Sequence, residues 1–326
     1  MAWSSLFALC VALLINLHGL SVWAKAVNFK PNWQQNPEVQ ALQLPSSFKA
    51  DLEAYLTEEY SLVIHPRHSS QITLQADESG RLDTNRPVTV LYHGLFMSPQ
   101  YFARIQEALL KKRHHVFNIR LPGHYGKTYG GLDLVKRSDL LETAEKTFNL
   151  AQEINGKVHL IGHSVGGLLV TNLARNNPDQ VSSLVLFAPA LQVQGYVVNF
   201  IEWVTAFGLS WKDLEFGEED PKKNYRSSFL AKEVIQLTEE IGLSFWNSNE
   251  YVAPIKDTPI LMFTTGADTA VDPIANLFFV RAFKDSPTFQ HIHFPLHQAV
   301  LHNKVGRFSR DHFQKEWNEL VNFLRD

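Results

Sequence analysis

Apolar residues recur along the chain with two alternating periods. Phe48, Leu52, Tyr55 and Leu56 share the spacing of one helix face, which predicts a helix over 47–59. TyrSerLeuValIle at 60–64 and GlnIleThrLeu at 71–74 then read as short strands. ProValThrValLeuTyr, 87–92, has the continuous apolar character of a buried strand. Pro99 opens a helix that runs through Leu110, with Phe102, Ile105, Leu109 and Leu110 on one side. The alternation continues with a strand at 115–120, a helix at 139–154 with Asp139 near its start as a cap, a strand at 157–162 and a helix at 165–176. Strands at 181–187, 259–264 and 289–294 follow, and a helix over 310–324 closes the chain. Strands separated by helices imply right-handed crossovers, hence an α/β fold with a mainly parallel sheet covered on both faces.

One stretch departs from this rhythm. Residues 191–254 contain no buried strand pattern, but Val197, Ile201, Val204 and Phe207 fall at helical spacing before the acidic turn GluPheGlyGluGluAsp at 215–220. Trp203, Trp211 and Trp246 also lie there. The pattern predicts a helical cap inserted at the carboxyl edge of the sheet, where ligands bind in open α/β folds. Its aromatic side chains serve either to pack the cap onto the body or to meet a substrate or a membrane surface.

The amino terminus is a separate object. SerLeuPheAlaLeuCysValAlaLeuLeuIleAsnLeu, 5–17, is followed by Ala24-Lys25-Ala26, the layout of a secretory signal peptide cleaved after Ala26, although no Lys or Arg precedes the apolar run. The run is shorter than the roughly 20 residues of a spanning helix. Export to the periplasm or the exterior is therefore expected, with a mature chain of 27–326. Cleavage would remove Cys10, the single cysteine. A cysteine-free product suits an oxidising compartment and rules out thiol catalysis and Cys-based zinc sites. With 30 Lys and Arg against 33 Asp and Glu, and no basic stretch interleaved with aromatics, nucleic acid is not an expected partner.

The sharpest chemical signal is HisLeuIleGlyHisSerValGlyGly, 159–167. Gly162-His163-Ser164-Val165-Gly166 matches G-x-S-x-G between a predicted strand and a predicted helix, the context in which a serine is held on a tight turn as a nucleophile. Together with HisGlyLeuPheMetSer at 93–98, ArgLeuProGlyHis at 120–124, ThrGlyAlaAsp at 265–268 and a late histidine, it resembles the α/β-hydrolase superfamily, within it the lysophospholipase, monoacylglycerol lipase and carboxylesterase-like group. The resemblance covers roughly residues 60–326, apart from the detail of the cap.

That resemblance implies a Ser, acid, His order. A serine hydroxyl needs a base, and the base needs a third group to fix its tautomer. Asp268 and Asp272 are the candidate acids. Asp268, four residues beyond the end of its predicted strand, is the better placed, whereas Asp272 precedes Pro273 as a helix cap would. Among the late histidines, His291 and His293 share one face of a strand, and His297 and His302 follow it. His297-Gln298-Ala299-Val300 fits the family's pattern and is the expected base, with His302 the alternative. By the same resemblance the backbone N–H groups of Val165 and Leu95 would form the oxyanion hole, with a shift of register to Phe96 open. Such donors are worth roughly 3–4 kcal/mol each.

No metal and no organic cofactor is implied, since the histidine pairs lack the helical spacing with a nearby Glu that marks zinc hydrolases and no phosphate-cradling loop appears. The expected activity is hydrolysis of a carboxylic ester, a monoacyl lipid or medium-chain ester, through an acyl-enzyme. Thioester, amide or acyl-transfer chemistry on the same triad, or an inactive binding protein, are the alternatives. A transient membrane contact through the cap is compatible with the first, and nothing in the pattern fixes an oligomeric state.

Overall fold

A computed structural model describes residues 25–62, 66–125, 135–206, 228–306 and 313–324. Most of the expected leader, the acidic turn at 215–220, Trp211 and residues 310–312 of the last predicted helix lie outside the described residues.

Eight strands among the described residues form one sheet in the order β1-β2-β4-β3-β5-β6-β7-β8. These are β1 (Ala26–Phe29), β2 (Gln71–Gln75), β3 (Val88–Tyr92), β4 (His115–Ile119), β5 (Val158–His163), β6 (Val181–Phe187), β7 (Ile260–Thr265) and β8 (Phe289–Phe294). From β4 through β8 neighbours are parallel, while β1 and β2 join antiparallel at one edge. Every residue of β3, β5 and β7 is buried, as expected for parallel strands with both faces covered. By contrast β8, at the far edge, keeps His291 and His293 exposed on one face.

The helices in chain order are α1 (Pro37–Ala41), α2 (Ser46–Leu62), α3 (Ala103–Lys111), α4 (Arg137–Asn155), α5 (Val165–Asn176), α6 (Gly195–Ala206), α7 (Ser228–Ile241), α8 (Ser248–Val252), α9 (Pro273–Ala282) and α10 (Gln314–Phe323). Leu52, Leu56, Phe148, Leu168 and Leu169 belong to the largest apolar cluster, and Phe102, Ile105, Leu109 and Leu320 to a second. In the stretch predicted as a cap, α6, α7 and α8 stand between β6 and β7.

Two expectations are corrected. No strand forms at 60–62, because α2 continues through Leu62 and Tyr60 turns its hydroxyl to the carbonyl of Phe29, 2.7 Å away; 63–65 lie outside the described residues. A strand that the pattern did not predict, β1, occupies 26–29 and pairs with β2 from Ala26 opposite Gln75 to Phe29 opposite Ile72. The expected cleavage point, after Ala26, thus falls at the first residue of a sheet strand whose Val27 and Phe29 are buried.

Candidate active site

At the end of β5 the chain must reverse from strand to helix within one residue. Ser164 makes this turn with φ 54° and ψ −118°, a conformation that costs a side-chain-bearing residue about 1–3 kcal/mol. Three backbone bonds hold it there: Ser164 N–H to the Phe187 carbonyl (3.0 Å), and the N–H groups of Ala190 (2.9 Å) and Leu168 (3.1 Å) to the Ser164 carbonyl. The helix α5 that follows crosses close beneath β3. A Cβ on Gly166 would lie 1.9 Å from the Tyr92 carbonyl oxygen, so only glycine fits. Val165 is the first residue of α5, and its N–H therefore has no carbonyl one turn earlier to bind.

The loop after β3 packs against the same turn. A Cβ on Gly94 would stand 2.5 Å from His163 Nδ1 and 3.1 Å from Ser164 Cβ, which brings the backbone beside Leu95 to the serine. Leu95 then enters a turn closed by Met97 N–H to the Gly94 carbonyl (3.2 Å), with Phe96 at φ 59°. His93, fully buried, braces this loop: its Nε2 accepts from Leu121 N–H (3.1 Å) and its Nδ1 donates to the Gly94 carbonyl (2.8 Å). Burial, with the neighbouring His124 ring adding repulsion, pushes the pKa of His93 well below the ordinary histidine value and keeps it neutral. Leu121 is itself fixed by Arg120, whose guanidinium donates to both carboxylate oxygens of buried Glu59 (2.9 and 2.7 Å) and to the His124 carbonyl (2.9 Å).

Beyond β7, Asp268 sits in a tight loop where its Oδ1 accepts the N–H groups of Ala270 (2.9 Å) and Val271 (3.0 Å). Its Oδ2 faces a histidine at 2.8 Å, and that histidine is His302. This corrects the expectation of His297. The side chain of His297 is exposed on a short 3-10 turn at 296–298, whereas the chain then returns to the acid loop. Thr265 Oγ1 donates to the Val300 carbonyl (2.6 Å), and a parallel bridge pairs Ala267 with Leu301. His163 completes the placement, its Nε2 donating to the His302 carbonyl at 2.9 Å. Asp272, as its sequence context predicts, caps α9 by accepting Ile274 N–H (2.7 Å). His291 and His293 both bond Thr264 Oγ1 at the sheet edge.

Ser164 and His302 line one cavity of about 610 Å³ with Leu95. The stretch predicted as a cap contributes Val193, Val197 and Ile201 from one leg and Ala231, Val234 and Ile235 of α7 from the other to its lining. The first leg is bonded to the acid loop: Gln194 N–H to the Ala270 carbonyl (3.2 Å), Gln194 Nε2 to the carbonyls of Asp268 and Val271 (both 3.1 Å), and Asp272 N–H to the Gln192 carbonyl (2.8 Å). Among the described residues no cluster of three His, Cys, Asp or Glu side chains could hold a metal ion.

Comparisons with known proteins bear on the family and the fold. A family model described as Serine aminopeptidase, S33 matches residues 83–302. A probable 1-acylglycerol-3-phosphate O-acyltransferase of Oryza sativa subsp. japonica is 28% identical over 156 residues, 46% of this chain and 34% of the relative. The chain thus spans about a third of that relative's length. A soluble variant of monoglyceride lipase from Saccharomyces cerevisiae, solved with a substrate analogue, superposes with a TM-score of 0.57 at 17% identity, over 73% of this chain and 86% of that one. For the monoacylglycerol lipase of Paleococcus ferrophilus the TM-score is 0.52 at 19% identity, over 73% and 96%. These two likenesses speak for the fold.

Proposed function

Because this chain belongs to the Serine aminopeptidase, S33 family of α/β hydrolases, we propose that it cleaves carboxylic esters through an acyl-enzyme, with Ser164 as nucleophile, His302 as base and Asp268 as orienting acid. The observation that carries the reading is the 2.8 Å bond between Asp268 and His302, beside a strained serine that lines the same cavity. Because Nδ1 of His302 points its proton at the carboxylate, Nε2 keeps the lone pair and takes the proton of Ser164 as it attacks the ester carbonyl. The N–H groups of Val165 and Leu95 receive the oxyanion. His302 then returns the proton to the departing alcohol, and water, activated by the same nitrogen, releases the acid.

The apolar cap wall suits an acyl chain, and a monoacyl lipid or medium-chain ester is the proposed substrate class. The two lipases of like fold are named for monoacylglycerol chemistry, which supports that choice by analogy. The test is labelling by a fluorophosphonate together with turnover of aryl esters of graded acyl length. Labelling that disappears in Ser164→Ala, with hydrolysis of at least one ester series, is the expected result. A folded protein that neither labels nor hydrolyses any ester would overturn the proposal.

A further inference from the structure

The cavity contains a second serine–histidine pair. Ser98, buried at the start of the short 3-10 turn Pro99–Phe102, has its Oγ 3.0 Å from His68 Nδ1. Arg67 Nε donates to the other nitrogen of that ring, Nε2, at 2.9 Å. A guanidinium can only donate, so Nε2 must be the acceptor and the ring carries its proton on Nδ1. His68 therefore donates to Ser98, and it cannot be the base that activates Ser98 as a nucleophile. The Ser98 hydroxyl, its lone pair engaged, is left to donate its own proton, and it lines the cavity. Tyr125 stacks on His68 with ring centres 3.9 Å apart and planes 11° off parallel, which fixes the imidazole in place.

The position of this donor decides what it meets. The 3-10 turn that begins after Ser98 packs on the histidine side of the site: Tyr101 lies 4.5 Å from the His163 ring, which lies 4.9 Å from the His302 ring, and Tyr101 Oη accepts Gly306 N–H at 2.8 Å. The apolar cap residues pack instead on Leu95 and Phe96. The base protonates the leaving oxygen, so the alcohol half of an ester lies on the histidine side and the acyl half under the cap. Arg67 and His68 lie upstream of the span matched by the family model, 83–302.

We propose that Ser98, polarised by His68 and Arg67, is a specificity-determining donor that binds a hydroxylated alcohol half of the substrate. The inference rests on the ester-hydrolase reading and deepens it. A hydroxyl of the leaving group accepts the Ser98 proton, and a plain alkyl alcohol leaves that buried donor without a partner, an asymmetry that discriminates substrates.

The experiment compares kcat/KM for a 1-monoacylglycerol with that for the ethyl ester of the same acid. The ratio of the two is measured in the wild type, Ser98→Ala, Ser98→Thr, and His68→Phe, which keeps a ring against Tyr125 but no donor. The expected result is a fall in the ratio of about tenfold in Ser98→Ala and His68→Phe, carried mainly by KM for the monoacylglycerol, with recovery in Ser98→Thr. Equal losses on both esters in Ser98→Ala, or a ratio unmoved by it, would overturn the proposal and leave Ser98 a structural residue. Fluorophosphonate labelling of the same samples separates the two readings: labelled protein with an unmoved ratio sinks only the Ser98 role, and unlabelled wild type sinks both.

Discussion

Two histidines that line one cavity, His302 and His68, are held in the same tautomer by opposite partners. Both rings carry the proton on Nδ1, His302 because Asp268 accepts it and His68 because Arg67 occupies Nε2. In the proposed mechanism Ser164 would use the unprotonated Nε2 of His302, whereas Ser98 faces the protonated Nδ1 of His68. A carboxylate behind the ring makes a base of it, and a guanidinium makes it a donor. The nature of the serine therefore depends on a residue it does not touch.

Removing each serine tests this contrast most directly. Ser164→Ala should cost on the order of 10⁴-fold or more in kcat and abolish fluorophosphonate labelling, read by intact mass, while Ser98→Ala keeps the label. Asp268→Asn should cost roughly 10³ to 10⁴-fold in kcat, since the amide can present its N–H to Nδ1 and favour the wrong tautomer. The two late histidines separate in the same assay: His302→Ala should lose about 10³-fold or more, and His297→Ala should stay within about twofold of the wild type.

A smaller effect comes from the scaffold that the donor pair leans on. Arg120→Met strands Glu59 as a buried charge and should destabilise the fold by about 3–5 kcal/mol in urea unfolding. Because Tyr125 follows the segment that Arg120 fixes, the proposed preference for a monoacylglycerol over the ethyl ester should weaken while Ser164 labelling persists in the folded fraction.

Smallest per group, but summed over several, is the response to acid. Burial lowers the pKa of His114 to about 3, and those of His124 and His159 to about 4, from an ordinary 6.5. Their folded forms resist protonation that the unfolded chain accepts. Stability is thus fully present above about pH 6.5 and is lost as pH falls through 6.5 toward 4 and 3. Thermal unfolding followed between pH 7.5 and 4.5 should show a falling midpoint, with a shallower slope in His159→Gln. A midpoint independent of pH would contradict neutral burial of these rings.

The buried parallel strands were legible because their apolar runs end at, or two residues before, a Gly or Pro and leave little choice of period. Residues 60–62 were not, since Tyr60 and Leu62 are as acceptable at the end of a helix as in a strand, and the packing of Tyr60 on β1 decides. β1 itself was hidden because its four residues adjoin a leader-like run. Ser164 and Asp268 each follow a strand with a local motif, which is why sequence alone could nominate them. His302 could not be separated from His297 by spacing, because what selects it is the bridge from Ala267 to Leu301, a contact across the fold. The Ser98 and His68 pairing, 30 residues apart, has no local pattern at all.

The bonds from Gln192 and Gln194 to the acid loop bear on how such proteins can be recombined. A chimera that imports foreign cap helices through a junction at 191 would discard the amide that holds the carbonyls of Asp268 and Val271, and the carboxylate would lose its alignment before any new substrate was tried. With the junction moved past Tyr196, whose hydroxyl donates to the Thr269 carbonyl, and the native 192–196 retained, the bonds of this leg to the acid loop would be kept. The working junction for such a chimera would then lie inside the stretch predicted as the cap.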